Sequence, residues 1–178
     1  MGKLALVAKI THVPSMYLSE LDGPRKGSRQ DAINGHIEIG RRCRALGVDT
    51  IVVFDTHWLS NFGYHINANP LHRGVFTSHE APQMVQDLPY DLPGDTPLAE
   101  AIAEEAAGAG LNVIAHRVAS LGLEYGTIVP MHFMNPDGFA RVVSVATPLF
   151  TSVEESRVLG EAKRREIARC PGRVAMAE

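Results

Sequence analysis

Short apolar runs separated by polar turns recur along the chain: LALVAKI (4–10), TIVVF (50–54), LNVIA (111–115), RVVSVA (141–146) and RVAMA (173–177). Their length and their β-branched content predict buried strands. Between them, apolar residues fall at helical spacing: Ala32, Ile33, Ile37 and Cys43 before the second run, and Leu98, Ala99, Ile102 and Ala106 before the third. A third helix, over Val153 to Ala168, precedes the last run. Thr96 with Pro97 predicts an N-cap and first-turn proline for the middle helix, and Gly108 and Gly110 its end. Alternation of strand and helix predicts one α/β domain, with a largely parallel or mixed central sheet flanked by helices. The stretch 61–93, rich in Pro, His, Asn and Asp, breaks the alternation. A short strand over Tyr64 to Asn67 and a long loop are expected there, and long ordered loops often line sites.

Composition narrows the classes of function. A chain of 178 residues fits one domain, 45% hydrophobic and 21% charged content is ordinary for a globular protein, and a net charge of -3 offers no basic stripe for nucleic acid. No apolar run approaches the roughly 20 residues of a membrane helix. The N-terminal MGKLALVAKITHVPS lacks the long apolar region and cleavage site of a signal peptide and reads as the first strand. Cys43 and Cys170, without a secretion signal, suggest a reducing cytoplasm and read as small buried hydrophobes.

Two histidines stand out by position. His12 follows the first strand in KITHVPS and His57 follows the second in VVFDTHW, just beyond the carboxyl ends where open α/β sheets place their ligands. If the two strands are parallel neighbours, both imidazoles face one cavity, an arrangement that suits two nitrogen ligands on a divalent metal. The alternative is a pair of hydrogen-bonded loop histidines. Asp55 is a further oxygen ligand, a hydrogen-bonding support for the imidazole, or a turn former. In SLGLEYGTIVPMHFM, Glu124 and Tyr125 precede Gly126, which permits a turn that would deliver Tyr125 as a donor to a bound oxyanion; otherwise the ring simply packs. His116 and His132 are weaker candidates, and His36, His65, His72 and His79 read as surface or loop residues.

ITHVPSMYLSE (10–20), VDTIVVFDTHW (48–58) and LEYGTIVPM (123–131) together closely resemble the class III extradiol ring-cleavage dioxygenases, and among them the branch acting on 3,4-dihydroxyphenylacetate. The likeness runs from Met1 to about Ala175. It implies a non-haem Fe(II) site, with Mn or Mg as alternatives, built from two His and one Glu, and meta cleavage of a catechol by dioxygen. The implied product is 5-carboxymethyl-2-hydroxymuconate semialdehyde. His12 and His57 fall on the family's histidine ligands, and Tyr125 falls where relatives carry a His or Tyr that touches substrate or oxygen.

Members of that family are longer, so residues 1–178 read as a domain incomplete at its C-terminus, lacking the family's acid/base His and its Glu ligand. Asp55, Glu80, Glu124 and Glu178 are the acidic residues available as substitutes. A segment lost there would leave apolar surface for a partner or a homo-oligomer to cover. A substrate carboxylate wants a cation, for which Arg117, His132 and Lys9 are candidates. Two other classes stay open: a non-catalytic subunit that keeps the fold, and a metal-dependent hydrolase.

Overall fold

All five apolar runs form strands. A computed structural model of the chain describes residues 2–178. Its elements run β1 (Lys3–Ala8), α1 (Ser15–Glu20), α2 (Gln30–Ala45), β2 (Thr50–Ser60), β3 (Tyr64–Asn67), β4 (Leu71–Phe76), β5 (Leu88–Pro93), α3 (Thr96–Gly108), β6 (Val113–His116), α4 (Tyr125–Met134), β7 (Arg141–Pro148), α5 (Val153–Arg169) and β8 (Arg173–Ala177). Six strands make the central sheet in the order β1-β8-β2-β7-β3-β6. Every pairing in it is parallel except that of β3 with β7. No helix is long and apolar enough to cross a membrane.

Helices cover both faces, which is why the strands read as continuous apolar runs rather than alternating ones. Ile51 and Val53 of β2 enter a core shared with α1, α2 and α4, whereas Val52 enters a second core shared with α3 and α5. All three are buried, each contributing about 1.5–3 kcal/mol by leaving water. On α2 the buried positions are Ile33, His36, Gly40 and Cys43, one stripe at three- and four-residue spacing, and Ile37 faces solvent. Asp95, rather than Thr96, caps α3 by accepting the Leu98 N–H, with Pro97 in the first turn.

Three elements depart from the sequence expectation. The long loop holds an antiparallel hairpin, β4 with β5, which packs Phe76, Leu88 and Leu92 into the first core. A short helix, α1, follows His12. The stretch expected to turn at Gly126 is instead α4, whose residues are buried on every side except at His132. A helix apolar all round has no amphipathic stripe to read, and Pro130 inside it argued further against a helix.

Candidate active site

The strands that carry His12 and His57 are not neighbours, because β8 lies between β1 and β2. The two imidazoles meet all the same, and the register shows how. Ala177 near the end of β8 is level with both Ala8 and Val53, so each flanking chain continues four residues further before its histidine. Over the end of the middle strand the rings stand edge to face, with centroids 5.0 Å apart. Chain running past the level of Ala177 on both sides therefore does what strand adjacency was expected to do.

β2 also runs further than the apolar run predicted, to Ser60. Its pairing with β7 steps from Asp55–Ala146 to Leu59–Thr147, so Thr56, His57 and Trp58 bulge out of the ladder. Such a bulge strands backbone donors, and the buried Asp55 carboxylate satisfies them: Oδ1 accepts the N–H of His57 at 2.9 Å and of Trp58 at 3.1 Å. Its Oδ2 accepts the Thr127 hydroxyl at 2.6 Å, which ties the bulge to α4. Asp55 is thus the clamp of the bulge. Gly126 is explained by the same clamp and not by a turn, since a Cβ there would lie 2.2 Å from Asp55 Oδ1.

The α4 N-terminus brings Tyr125 onto the pair. Its ring lies 3.9 Å from that of His57, centroid to centroid, and 6.4 Å from that of His12. The buried hydroxyl donates to Glu80 Oε2 at 2.9 Å, and the same oxygen stands 3.6 Å from His57 Nδ1. Burial, then the Glu80 carboxylate, hold the phenol well above its usual pKa, so Tyr125 keeps its proton and acts as a donor. Burial and the neighbouring His57 lower the pKa of His12, favouring the neutral imidazole, and its Nε2 lies 3.2 Å from the Thr56 hydroxyl. Burial, with Asp55 nearby, raises the pKa of Glu124, the N-cap of α4.

Of the four acidic candidates, only Glu80 reaches both the His57 imidazole and the Tyr125 phenol. It comes from the loop after β4 and carried no sequence signal beyond its acidity. Thr56 and Thr127, which brace His12 and Asp55, escaped the sequence reading because hydroxyls in strands and helices are commonplace. Among the described residues no group of three His, Cys, Asp or Glu side chains forms a closed metal site. The donors present are two imidazoles, one of them held toward the neutral form, which suit a divalent metal as a two-nitrogen set with open positions.

The remaining histidines separate into three kinds. His36 and His72, expected at the surface or in loops, are buried: His36 Nδ1 bonds Ala32 O in α2, and His72 Nε2 bonds Val142 O across to β7. His65 on β3 and His116 on β6, two register positions apart, stack diagonally, Nδ1 to Nε2 at 2.6 Å. His132 pairs with Glu20, Arg117 with Glu100, and His79 is exposed. Two of the three cations suggested for a substrate carboxylate are therefore already engaged. Both cysteines are free thiols, Cys43 buried and Cys170 partly so.

Residues 6–177 match the family described as the catalytic LigB subunit of aromatic ring-opening dioxygenase. The chain is 52% identical to a 3,4-dihydroxyphenylacetate 2,3-dioxygenase from Escherichia coli over 99% of its own length, but covers 64% of that protein. It is 30% identical to the beta subunit of a 2-aminophenol 1,6-dioxygenase from a Pseudomonas species, over 72% of this chain and 44% of that one. The chain thus spans less than two thirds of either relative. An uncharacterized protein from Escherichia coli K12 superposes on 82% of the chain, and on 51% of its own, with a TM-score of 0.49 and 18% identity.

Proposed function

This chain belongs to the LigB family of aromatic ring-opening dioxygenases, and on that premise we propose that it serves the extradiol cleavage of a catechol by dioxygen, with 3,4-dihydroxyphenylacetate as the substrate. The product is then 5-carboxymethyl-2-hydroxymuconate semialdehyde, within the catabolism of aromatic compounds in a reducing cytoplasm. The observation that carries this reading is the meeting of His12 and His57 over the end of β8, with the Tyr125 phenol and the Glu80 carboxylate set against them.

His12 and His57 are the residues that would hold Fe(II). Bound there, the metal supplies one centre for the catecholate and for dioxygen, orienting them and passing electrons between partners of different spin. The protein's own part is positional. The Asp55 clamp fixes the backbone that carries His57, and Thr56 meets the His12 ring. Tyr125, kept protonated, donates a hydrogen bond; Glu80 accepts it at rest, and a substrate or oxygen-derived oxyanion takes that place during turnover. The third protein donor and a dedicated acid/base are supplied by a longer form of this chain or by another chain. A homo-oligomer is the simplest assembly.

The test is a reconstitution: anaerobic loading with Fe(II), measurement of bound iron, then air and 3,4-dihydroxyphenylacetate, with the yellow ring-opened product followed by absorbance. The same assay is run on the chain extended to the length of its relatives. We expect iron retention and turnover in the extended form, both lost at least a hundredfold in His12→Ala and His57→Ala. Turnover that survives both substitutions sinks the assignment.

The lack of a closed three-donor site among the described residues supports one second reading, a non-catalytic subunit of the same family. It predicts no retained iron in either form.

A further inference from the structure

Lys163 of α5 is the only buried lysine or arginine among the described residues, at 3% exposure. Its ammonium lies 3.2 Å from the centroid of the Phe54 ring, and no carboxylate among the described residues forms an ion pair with it. A buried charge without a counter-ion is costly, and a cation over an aromatic face offsets only part of that cost. Burial lowers the pKa of this group to about 7, with Glu178 opposing the shift from a distance.

The side chain ends in a cavity of about 270 Å³ at the carboxyl ends of β2 and β7. The hydroxyl-bearing residues Thr56, Tyr64, Thr147, Thr151 and Ser156 line it, together with the apolar Phe54, Pro148 and Leu159. The Tyr64 hydroxyl lies within hydrogen-bond distance of both Thr151 Oγ1 and Ser156 Oγ, at 2.7 and 3.2 Å, so three of these groups already form a chain of donors and acceptors. Glu178 is the only acidic residue in the lining. The cavity also borders the candidate active site, because Thr56, one of its lining residues, holds its hydroxyl 3.2 Å from His12 Nε2.

We propose that this cavity is a binding site for a small organic carboxylate, whose carboxylate is received by the Lys163 ammonium and neighbouring hydroxyls and whose apolar body lies against Phe54, Pro148 and Leu159. The match is chemical on each count. No carboxylate among the described residues is in contact with the ammonium, hydroxyl-bearing neighbours offer neutral donors that hold a carboxylate without adding charge, and apart from Glu178 the rest of the lining is apolar. Two sources of such an acid fit the cavity: the acidic side chain of the ring-cleavage substrate, reaching past Thr56 from the imidazole pair, or a separate monoacid. The affinity for an acid is independent of ring cleavage; only the first source rests on the function proposed above.

Phenylacetate is the probe, because it has the carboxylate and the ring but cannot chelate a metal. Calorimetric titration of the full chain, in the presence of a chelator, should show phenylacetate binding, with 2-phenylethanol, its neutral analogue, at least tenfold weaker. Lys163→Met should weaken phenylacetate at least tenfold, and Lys163→Arg should restore most of the affinity. A measurement on the unmodified chain guards against a misfolded variant: phenylacetate, but not 2-phenylethanol, should slow acetylation of Lys163 by acetic anhydride, read by mass spectrometry. Competition by 3,4-dihydroxyphenylacetate but not by catechol supports the substrate side chain as the source; phenylacetate binding undisturbed by 3,4-dihydroxyphenylacetate supports a separate acid. No phenylacetate binding, equal binding by folded Lys163→Met, or no protection of Lys163 overturns the proposal. None of these readouts needs iron or turnover, so failure here is distinct from failure of the dioxygenase reading.

Discussion

Asp55 and Lys163 are both buried ionisable residues, and their surroundings assign them opposite consequences. The Asp55 carboxylate is met by two backbone N–H groups and the Thr127 hydroxyl, so it is a satisfied buried charge. Asp55→Ala strands those donors and should cost about 2–4 kcal/mol in urea denaturation, while Asp55→Asn, which keeps an acceptor, should cost less than half of that. Gly126→Ala drives a methyl into the same carboxylate and should destabilise by at least about 2 kcal/mol, with a changed near-ultraviolet signal from Tyr125. Lys163, with its pKa lowered from 10.5 to about 7, gives a pH prediction of definite sign. Between those two values the unfolded chain holds a proton that the folded chain has shed, so this group makes stability rise as pH rises through the window. Below about pH 7 the cost of burying the ammonium is fully present. Lys163→Met should flatten that rise and stabilise the protein at pH 7 by on the order of 3 kcal/mol, measured as the urea midpoint against pH.

At the scale of elements, legibility followed periodicity. α5 was readable nearly to the residue, and its start is closed by a reciprocal cap: the Ser152 hydroxyl accepts the Glu155 N–H and the Glu155 carboxylate accepts the Ser152 N–H. Ser152→Ala should lower the unfolding free energy by about 1 kcal/mol, as loss of an N-cap does. By contrast α4 and the β4–β5 hairpin were hidden. α4 is buried on nearly all sides, so no polar face marks its period, and the hairpin strands LHRGVF and LPYDLP carry prolines and charges because they form a separate two-stranded sheet beside the main one. The bulge in β2 was invisible for a related reason, since only the register against β7 shows that three residues have no partner. The sequence placed His57 after a strand, and the structure sets it inside one.

For the whole molecule, the sheet order matters most. Placing β8 between β1 and β2 sets the chains that carry His12 and His57 on either side of one strand, and the two imidazoles meet four residues past the level of Ala177. The same end of the sheet exposes apolar surface: Phe62, Phe150 and Val153 are 80%, 78% and 88% exposed, and the Leu149 N–H bonds Ser60 O, joining the two loops that carry them. Light scattering should return a mass above the 19.3 kDa of one chain, and Phe62→Glu with Phe150→Glu should bring it down toward that value. A wild-type chain of monomer mass at tens of micromolar would count against the homo-oligomer.

The sequence alone determined the α/β class, the positions of the central strands and long helices, and the pairing of His12 with His57 as residues of interest. Those properties are local, written in runs of β-branched residues, in helical spacing and in the few residues just past each strand end. The tertiary structure alone decided that β8 separates the two histidine strands, that Glu80 reaches His57 and Tyr125, that Asp55 is a clamp, and that Lys163 borders a cavity without an ion-pair partner among the described residues. Each of these depends on groups distant in sequence arriving at one place, and contacts of that kind leave no periodicity in the chain.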